Sequence, residues 1–153
     1  GPVYIRLEAA NEPELYGEDY QFVVGRGYVL RDGRDVTVIA MGSVVNEALR
    51  AAEKLEHDGI RLRVVNMPMV NPIDLDLITA AAKETGRIIT LEEHSIHGGL
   101  GSAVAEVVAR ECPVKMKMVG QHDTFGESGK PDELREKYGM TGKDIVKAIK
   151  ELY

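Results

Sequence analysis

The sequence predicts an α/β fold, a three-layer αβα sandwich around a mostly parallel five-stranded sheet with one antiparallel edge strand. From residue 36 onward, short β-branched runs alternate with stretches of helical periodicity. Each β-α-β crossover of this kind is right-handed and covers one face of a parallel sheet. Ahead of residue 36, Asp32 and Gly33 lie between two β-rich runs, which favours an antiparallel hairpin and supplies the edge strand.

The elements follow in order along the chain. Residues 21–24 and 27–30 are short extended runs, and residues 31–34 would turn the second of them back onto the strand at 36–40. The helix after that strand would start at Gly42 and Ser43, with Ser43 as its N-cap. Further strands are predicted at residues 62–65, 87–91 and 114–119. Further helices are predicted at residues 73–82, from 98–101 onward, at 131–138 and at 142–152.

Length and composition describe an ordinary globular domain. The chain has 153 residues, 44% hydrophobic and 29% charged, which is the size and usage of one domain with its own core. Nineteen basic residues against 25 acidic ones give a net charge of -6, which argues against nucleic acid or an anionic membrane as the main partner. With the single cysteine Cys112 and no apolar run near the length of a membrane span, the expected location is the cytoplasm.

Three loops that follow predicted strands could carry chemistry, because ligands of open parallel sheets bind beyond the carboxyl ends of the strands. The first loop contains Gly42 and Ser43 at a helix start, where backbone amides could hold an anion. It lacks the spaced glycines of a dinucleotide or phosphate-binding loop. The alternative is a capped helix start with a structural role only.

The second loop, residues 92–102, has the densest set of functional side chains. His94 and His97 lie near two carboxylates, which is compatible with a metal site or with general acid or base chemistry. The sequence gives neither the helical spacing of a zinc site nor a nucleophile beside them, so we assign no metal ligand and no catalytic residue here. The glycines are expected to allow a sharp turn and close packing at a helix start. They are Gly98, Gly99 and Gly101.

The third loop, residues 120–130, is long, rich in turn-forming residues and carries one aromatic side chain, Phe125. A loop of this length is typical of a binding surface or of an anchor for a neighbouring domain.

The order and spacing of these segments resemble the C-terminal region of transketolase over nearly the whole chain. The same domain type occurs in deoxyxylulose-5-phosphate synthase and in the beta subunits of pyruvate-type dehydrogenases, to which the likeness is looser. The segments that carry the resemblance are residues 1–7, 35–42, 92–104, 123–129 and 138–141.

The resemblance implies a three-domain, thiamine diphosphate-dependent enzyme that transfers two-carbon ketol units between sugar phosphates, as in the pentose phosphate pathway. The cofactor and a divalent metal such as magnesium would lie between a pyrophosphate-binding and a pyrimidine-binding domain of two subunits, in a homodimer. Residues 1–7 would be the last strand of the pyrimidine-binding domain, 8–20 a linker, and 21–153 the C-terminal domain, which binds no cofactor and is inactive alone. Ala9 stands where many transketolases have a phosphate-binding arginine, so recognition of the sugar phosphate is in doubt.

Two other functions remain open from the sequence. The chain could be an independent domain that binds a small ligand or effector through the loops after Met41 and Leu91. It could also dock a partner, as in a 2-oxo acid dehydrogenase that holds an acyltransferase, or belong to a deoxyxylulose-phosphate synthase.

Overall fold

A computed structural model describes residues 1–5 and 12–153, and its centre is a five-stranded mixed sheet. The strands are β1 (Tyr28–Arg31), β2 (Val36–Met41), β3 (Leu62–Asn66), β4 (Arg87–Ser95) and β5 (Lys115–Gln121). Their order across the sheet is β1-β3-β2-β4-β5. Strands β3, β2, β4 and β5 are parallel and β1 is antiparallel to β3, which confirms the predicted sheet with one antiparallel edge strand.

The partner of β1 differs from the prediction. We expected β1 to form a hairpin with β2, but Tyr28 pairs with Asn66 of β3. The connection between β1 and β2 passes across the start of β3, where a Cβ on Gly33 would lie 2.4 Å from the backbone carbon of Leu62. Asp-Gly therefore marks a turn here, but one that skips a strand instead of closing a hairpin.

Five α-helices connect and flank the strands. They are α1 (Val45–His57), α2 (Leu75–Thr85), α3 (Leu100–Glu111), α4 (Pro131–Lys137) and α5 (Gly142–Lys150), and a 3-10 turn at Gly42–Val44 precedes α1. Helix α2 starts two residues later than predicted because the Asp74 carboxylate accepts a bond from the amide of Leu77 and caps the helix. In the described part of the chain, residues 21–24 belong to no strand, so that predicted extended run is wrong.

Two hydrophobic cores share the central strands. Alternate residues of β2 point to opposite faces, so Val38 lies in one core and Ile39 in the other, and both are fully buried. Helices α1 and α5 cover the first face, and α2 and α3 cover the second. This arrangement confirms the three-layer prediction and leaves the carboxyl ends of the strands as one edge of the domain.

Residues 12–20, which we call the strap, contain neither helix nor strand but contact this edge. Leu15 packs against the first core, and the Tyr16 hydroxyl accepts a hydrogen bond from Asn66. The division of the chain at residues 7 and 20 stays a prediction. Residues 1–5 are exposed, and the positions 6–11, including Ala9, lie outside the described residues. Among the residues that the structure describes, no helix is long and apolar enough to cross a membrane.

Candidate functional site

The natural place for a site in this fold is the crevice between the carboxyl ends of β2 and β4. From β2 the chain moves to β3 on one side, then crosses to β4 on the other side. This reversal is the topological switch point at which open α/β sheets bind ligands. Met41 lies beside Glu92 at these strand ends, so the structure brings the first and second candidate loops together. The third loop follows β5, the next strand along.

The Glu92 carboxylate binds the amino-terminal end of helix α3. Its side chain is 4% exposed, and its two carboxylate oxygens accept the amides of Leu100 and Gly101, each at 2.7 Å. These amides are among those that a helix leaves without a partner at its N-terminus, and a negative charge there is favoured by the helix dipole. Glu92 therefore holds α3 against β4 and has no oxygen turned to a ligand.

The glycines of the second loop act in two ways. Gly98 has φ +76°, a conformation that side chains with a Cβ rarely adopt. Gly99 and Gly101 have ordinary backbone angles but pack closely. A Cβ on Gly99 would overlap the Glu92 carboxylate, and a Cβ on Gly101 would lie 2.9 Å from atoms of Met118 and Thr90. All three glycines serve the turn and the packing that the sequence predicted.

His94 and His97 lie on the outer side of this loop. The His94 Nδ1 donates to the carbonyl of Ser95 at 2.7 Å, and its side chain is 61% exposed. Glu92 Oε2 is 3.8 Å from the same nitrogen, but that oxygen already accepts the amide of Leu100. His97 is exposed and contacts Ser95 through its backbone amide. Among residues 1–5 and 12–153, no three His, Cys, Asp or Glu side chains are placed to hold a metal ion.

Ser43 does not cap α1. Its hydroxyl donates to Glu93 Oε2 at 2.5 Å, and the position before the helix is Val44, so the predicted N-cap is wrong. The 3-10 turn at Gly42–Val44 inserts three residues between the strand and α1, which moves the Ser43 side chain away from the amides of the helix. Ser43 is instead 6% exposed and faces the end of β4.

Ser43 and Glu93 form a polar cluster with Arg135 of α4, a residue that was not predicted from the sequence. Its Nε donates to Glu93 at 2.9 Å and its terminal nitrogen donates to Glu12 of the strap at 2.5 Å. Burial acts to lower the pKa of the guanidinium, but the hydrogen bonds and charges of Glu93 and Glu12 outweigh it and raise that pKa above its ordinary value. Arg135 comes from α4, 42 residues after Glu93 and 123 after Glu12, so no local pattern could have revealed the cluster.

The cluster decides how well a phosphate group fits at Gly42 and Ser43. A diphosphate at this helix start would meet the Glu93 carboxylate, which already accepts the Ser43 hydroxyl. Two negative groups at one hydroxyl repel each other, and the nearby cation Arg135 is bonded to carboxylates. The residues at this helix start therefore do not fit the diphosphate group of thiamine diphosphate.

The third loop is exposed and presents its aromatic side chain outward. Phe125 is 99% exposed, while its carbonyl accepts the Tyr138 hydroxyl at 3.3 Å. Lys137 of α4 donates a hydrogen bond to the carboxylate of Glu127 in the loop. These contacts join the loop to α4, the helix that carries Arg135.

Comparisons with known proteins agree with this geometry. The family model described as "Transketolase, C-terminal domain" matches residues 25–145. A 6-deoxy-6-sulfo-D-fructose transketolase subunit from Clostridium sp. (strain MSTE9) is 45% identical over 99% of this chain and 47% of its own length. A subunit of apulose-4-phosphate transketolase from Phocaeicola vulgatus is 41% identical over 98% of this chain and 48% of its own.

A solved structure is also similar. The chain described as "Split gene transketolase, inactive beta4 tetramer" superposes with a TM-score of 0.88 and 48% identity, over 92% of this chain and 46% of that one. The chain thus spans about half the length of the relatives it matches.

Proposed function

Because the chain belongs to the transketolase C-terminal domain family, we propose that it is the structural and assembly domain of a transketolase. The whole enzyme would move two-carbon ketol units between sugar phosphates, and thiamine diphosphate would carry the carbanion chemistry. The names of the relatives, which are transketolase subunits, support this proposal.

The observation that carries the proposal is the crevice at the switch point. Glu92 is bonded to the amides of α3, and Glu93 is bonded to both Ser43 and Arg135. Side chains that act on a substrate need acceptors or donors turned toward it. Here they hold helices and loops in place, as expected of a domain that supports a site formed elsewhere.

The remaining parts of the enzyme follow from the same proposal. Thiamine diphosphate and a divalent metal such as magnesium would bind to the pyrophosphate- and pyrimidine-binding domains, in the same polypeptide or in a partner subunit. The C-terminal domain would pack on them and take part in a homodimer in the cytoplasm. The third loop, with Phe125 exposed, would be one of the surfaces that meet those domains.

Ligand titration tests where the cofactor binds. Thiamine diphosphate with magnesium is titrated calorimetrically into this chain and into a full-length transketolase subunit that includes it, and sugar phosphates and nucleotides are titrated in parallel. We expect no binding to this chain and ketol transfer only by an assembly that has the other domains. Micromolar binding of the cofactor to this chain would refute the proposal, and micromolar binding of a sugar phosphate or nucleotide would favour an effector-binding domain.

A further inference from the structure

The strap crosses the carboxyl edge of the sheet and contacts it at both ends. At its start, the Glu12 carboxylate binds Arg135 at 2.5 Å and accepts the Asn46 amide at 3.4 Å. In its middle, Tyr16 receives the hydrogen bond from Asn66 at the end of β3. At its end, the ring of Tyr20 stacks on Tyr16 and meets the edge of Tyr28 in β1. The strap therefore runs along the carboxyl edge of the sheet, from the cluster of Ser43, Glu93 and Arg135 to the edge strand β1.

We propose that the strap is a latched cover of the switch-point crevice, in which the Glu12–Arg135 ion pair is a releasable latch and the tyrosine cluster a permanent anchor. This proposal does not depend on the proposed function. It assigns to residues 12–20 a role other than that of a passive connection.

The latch is releasable because of its charges. One guanidinium faces three carboxylates, those of Glu12, Glu93 and Asp132. Arg135 keeps Glu12 close to Glu93, since without it the two carboxylates would repel each other. The Glu12 side chain is 25% exposed, so water and salt reach its side of the ion pair.

The anchor is of a different kind. The rings of Tyr16 and Tyr20 stack with centroids 3.9 Å apart, and Tyr28 lies edge-on to both. The Tyr28 hydroxyl also donates to the carbonyl of Gln21 and accepts the amide of Val23, which fixes the chain just after the strap. These contacts involve no ion pair, so release of the latch leaves them in place.

The cover matters for Ser43. This residue is 6% exposed, and it precedes by three positions Asn46, which contacts Glu12. Its partner Glu93 shares Arg135 with Glu12. Opening of the strap at the Glu12 end uncovers the Ser43–Glu93 pair, which joins the first and second candidate loops.

Thiol labelling measures the cover directly. In a Cys112→Ala background, Ser43→Cys places one thiol in the crevice, and a small maleimide reports its accessibility. We expect Glu12→Gln to raise the labelling rate at least tenfold and Arg135→Ala to raise it further. Glu12→Gln leaves the Arg135–Glu93 bond intact, so the test holds even if Arg135→Ala does not fold.

Two controls separate the latch from general loosening. Asp132→Asn removes a carboxylate from the same guanidinium without touching the strap. The native Cys112, with Ser43 retained, is a thiol at the end of α3 against the second core, outside the crevice. Asp132→Asn should change the labelling rate of Ser43→Cys by no more than twofold. Glu12→Gln should change the labelling rate of the control thiol by no more than twofold. Hydrogen exchange in Glu12→Gln should quicken at residues 12–16 and stay unchanged at 18–24. An unchanged labelling rate in Glu12→Gln, or an equal rise in Asp132→Asn, would overturn the proposal.

Discussion

Glu92 and Glu93 are adjacent in β4, and the pleat of the strand directs their side chains to opposite sides. Glu92 binds the amides of α3, whereas Glu93 binds Ser43 and Arg135. A pair of neighbouring carboxylates is often a sign of acid and base catalysis, but here each one supports a different helix.

The bond from Glu92 to α3 can be tested by a conservative substitution. Glu92→Gln keeps the shape but loses the charge, and its amide nitrogen would face a backbone amide, leaving one donor without an acceptor. We expect a loss of about 2 to 3 kcal/mol in the free energy of unfolding. Chemical denaturation measures it, with Glu106→Gln on the exposed face of α3 as the control. A loss no greater than in the control would show that the bonds to Leu100 and Gly101 contribute little.

Two neighbouring glycines separate backbone strain from steric overlap. Gly98→Ala faces open space but keeps a positive φ, which costs about 1 to 2 kcal/mol. Gly99→Ala has no such strain, yet its Cβ would displace the Glu92 carboxylate and should cost about 3 kcal/mol or more. Thermal denaturation of the two variants should therefore rank Gly99→Ala as the less stable. The reverse order would mean that Glu92 moves aside easily.

The sequence could predict these glycines as packing and turn residues, but not which role each one has. Positive φ depends on the local turn, whereas the overlap at Gly99 depends on a side chain seven residues earlier in the strand. The role of Ser43 was also missed, because a serine before a helix has the same local pattern whether it caps the helix or binds Glu93.

At the scale of elements, helices and parallel strands were predictable because their periodicity is local. The position of β1 in the sheet was not predictable from local periodicity. Asp32 and Gly33 favour a turn in either arrangement, and the choice of partner depends on contacts with β3, such as the bond from Arg63 to Asp32. The strap was predicted only as a connection, since its partners Asn66 and Arg135 lie far away in sequence.

The tyrosine anchor predicts sensitivity to alkaline pH. Partial burial, with the hydrogen bond and charge of Tyr28, raises the pKa of Tyr20 to about 12, and burial raises that of Tyr16 as well. A tyrosine whose folded pKa exceeds the unfolded value of about 10 contributes stability that is fully present below pH 10. That contribution is lost as the pH rises from about 10 to 12.

Denaturation midpoints measured from about pH 8 to 12 should therefore fall above about pH 10, and less steeply in Tyr20→Phe. Tyr4→Phe is the control, because Tyr4 is 88% exposed. Equal pH profiles for the native chain and Tyr20→Phe would show that this hydroxyl plays no part in the loss.

At the scale of the whole molecule, the strap is part of the folded unit. A chain that starts at Phe22 lacks the packing of Leu15 and the rings of Tyr16 and Tyr20, which are partly buried. We expect its melting temperature to fall by about 5 to 12 °C. A chain that starts at Arg6 lacks only exposed residues and should melt as the native chain does. Equal melting of both truncated chains would show that the strap does not stabilise the domain.

The span of the latch has a consequence for biosynthesis. Glu12 leaves the ribosome 123 residues ahead of Arg135. At a translation rate of about 5 to 20 residues per second, Arg135 is synthesised roughly 6 to 25 seconds after Glu12. All five strands of the sheet are synthesised in that interval, since β5 ends before α4 begins. Closure of the strap over the crevice is therefore a late event in the synthesis of the molecule, possible only after the sheet beneath it has been made.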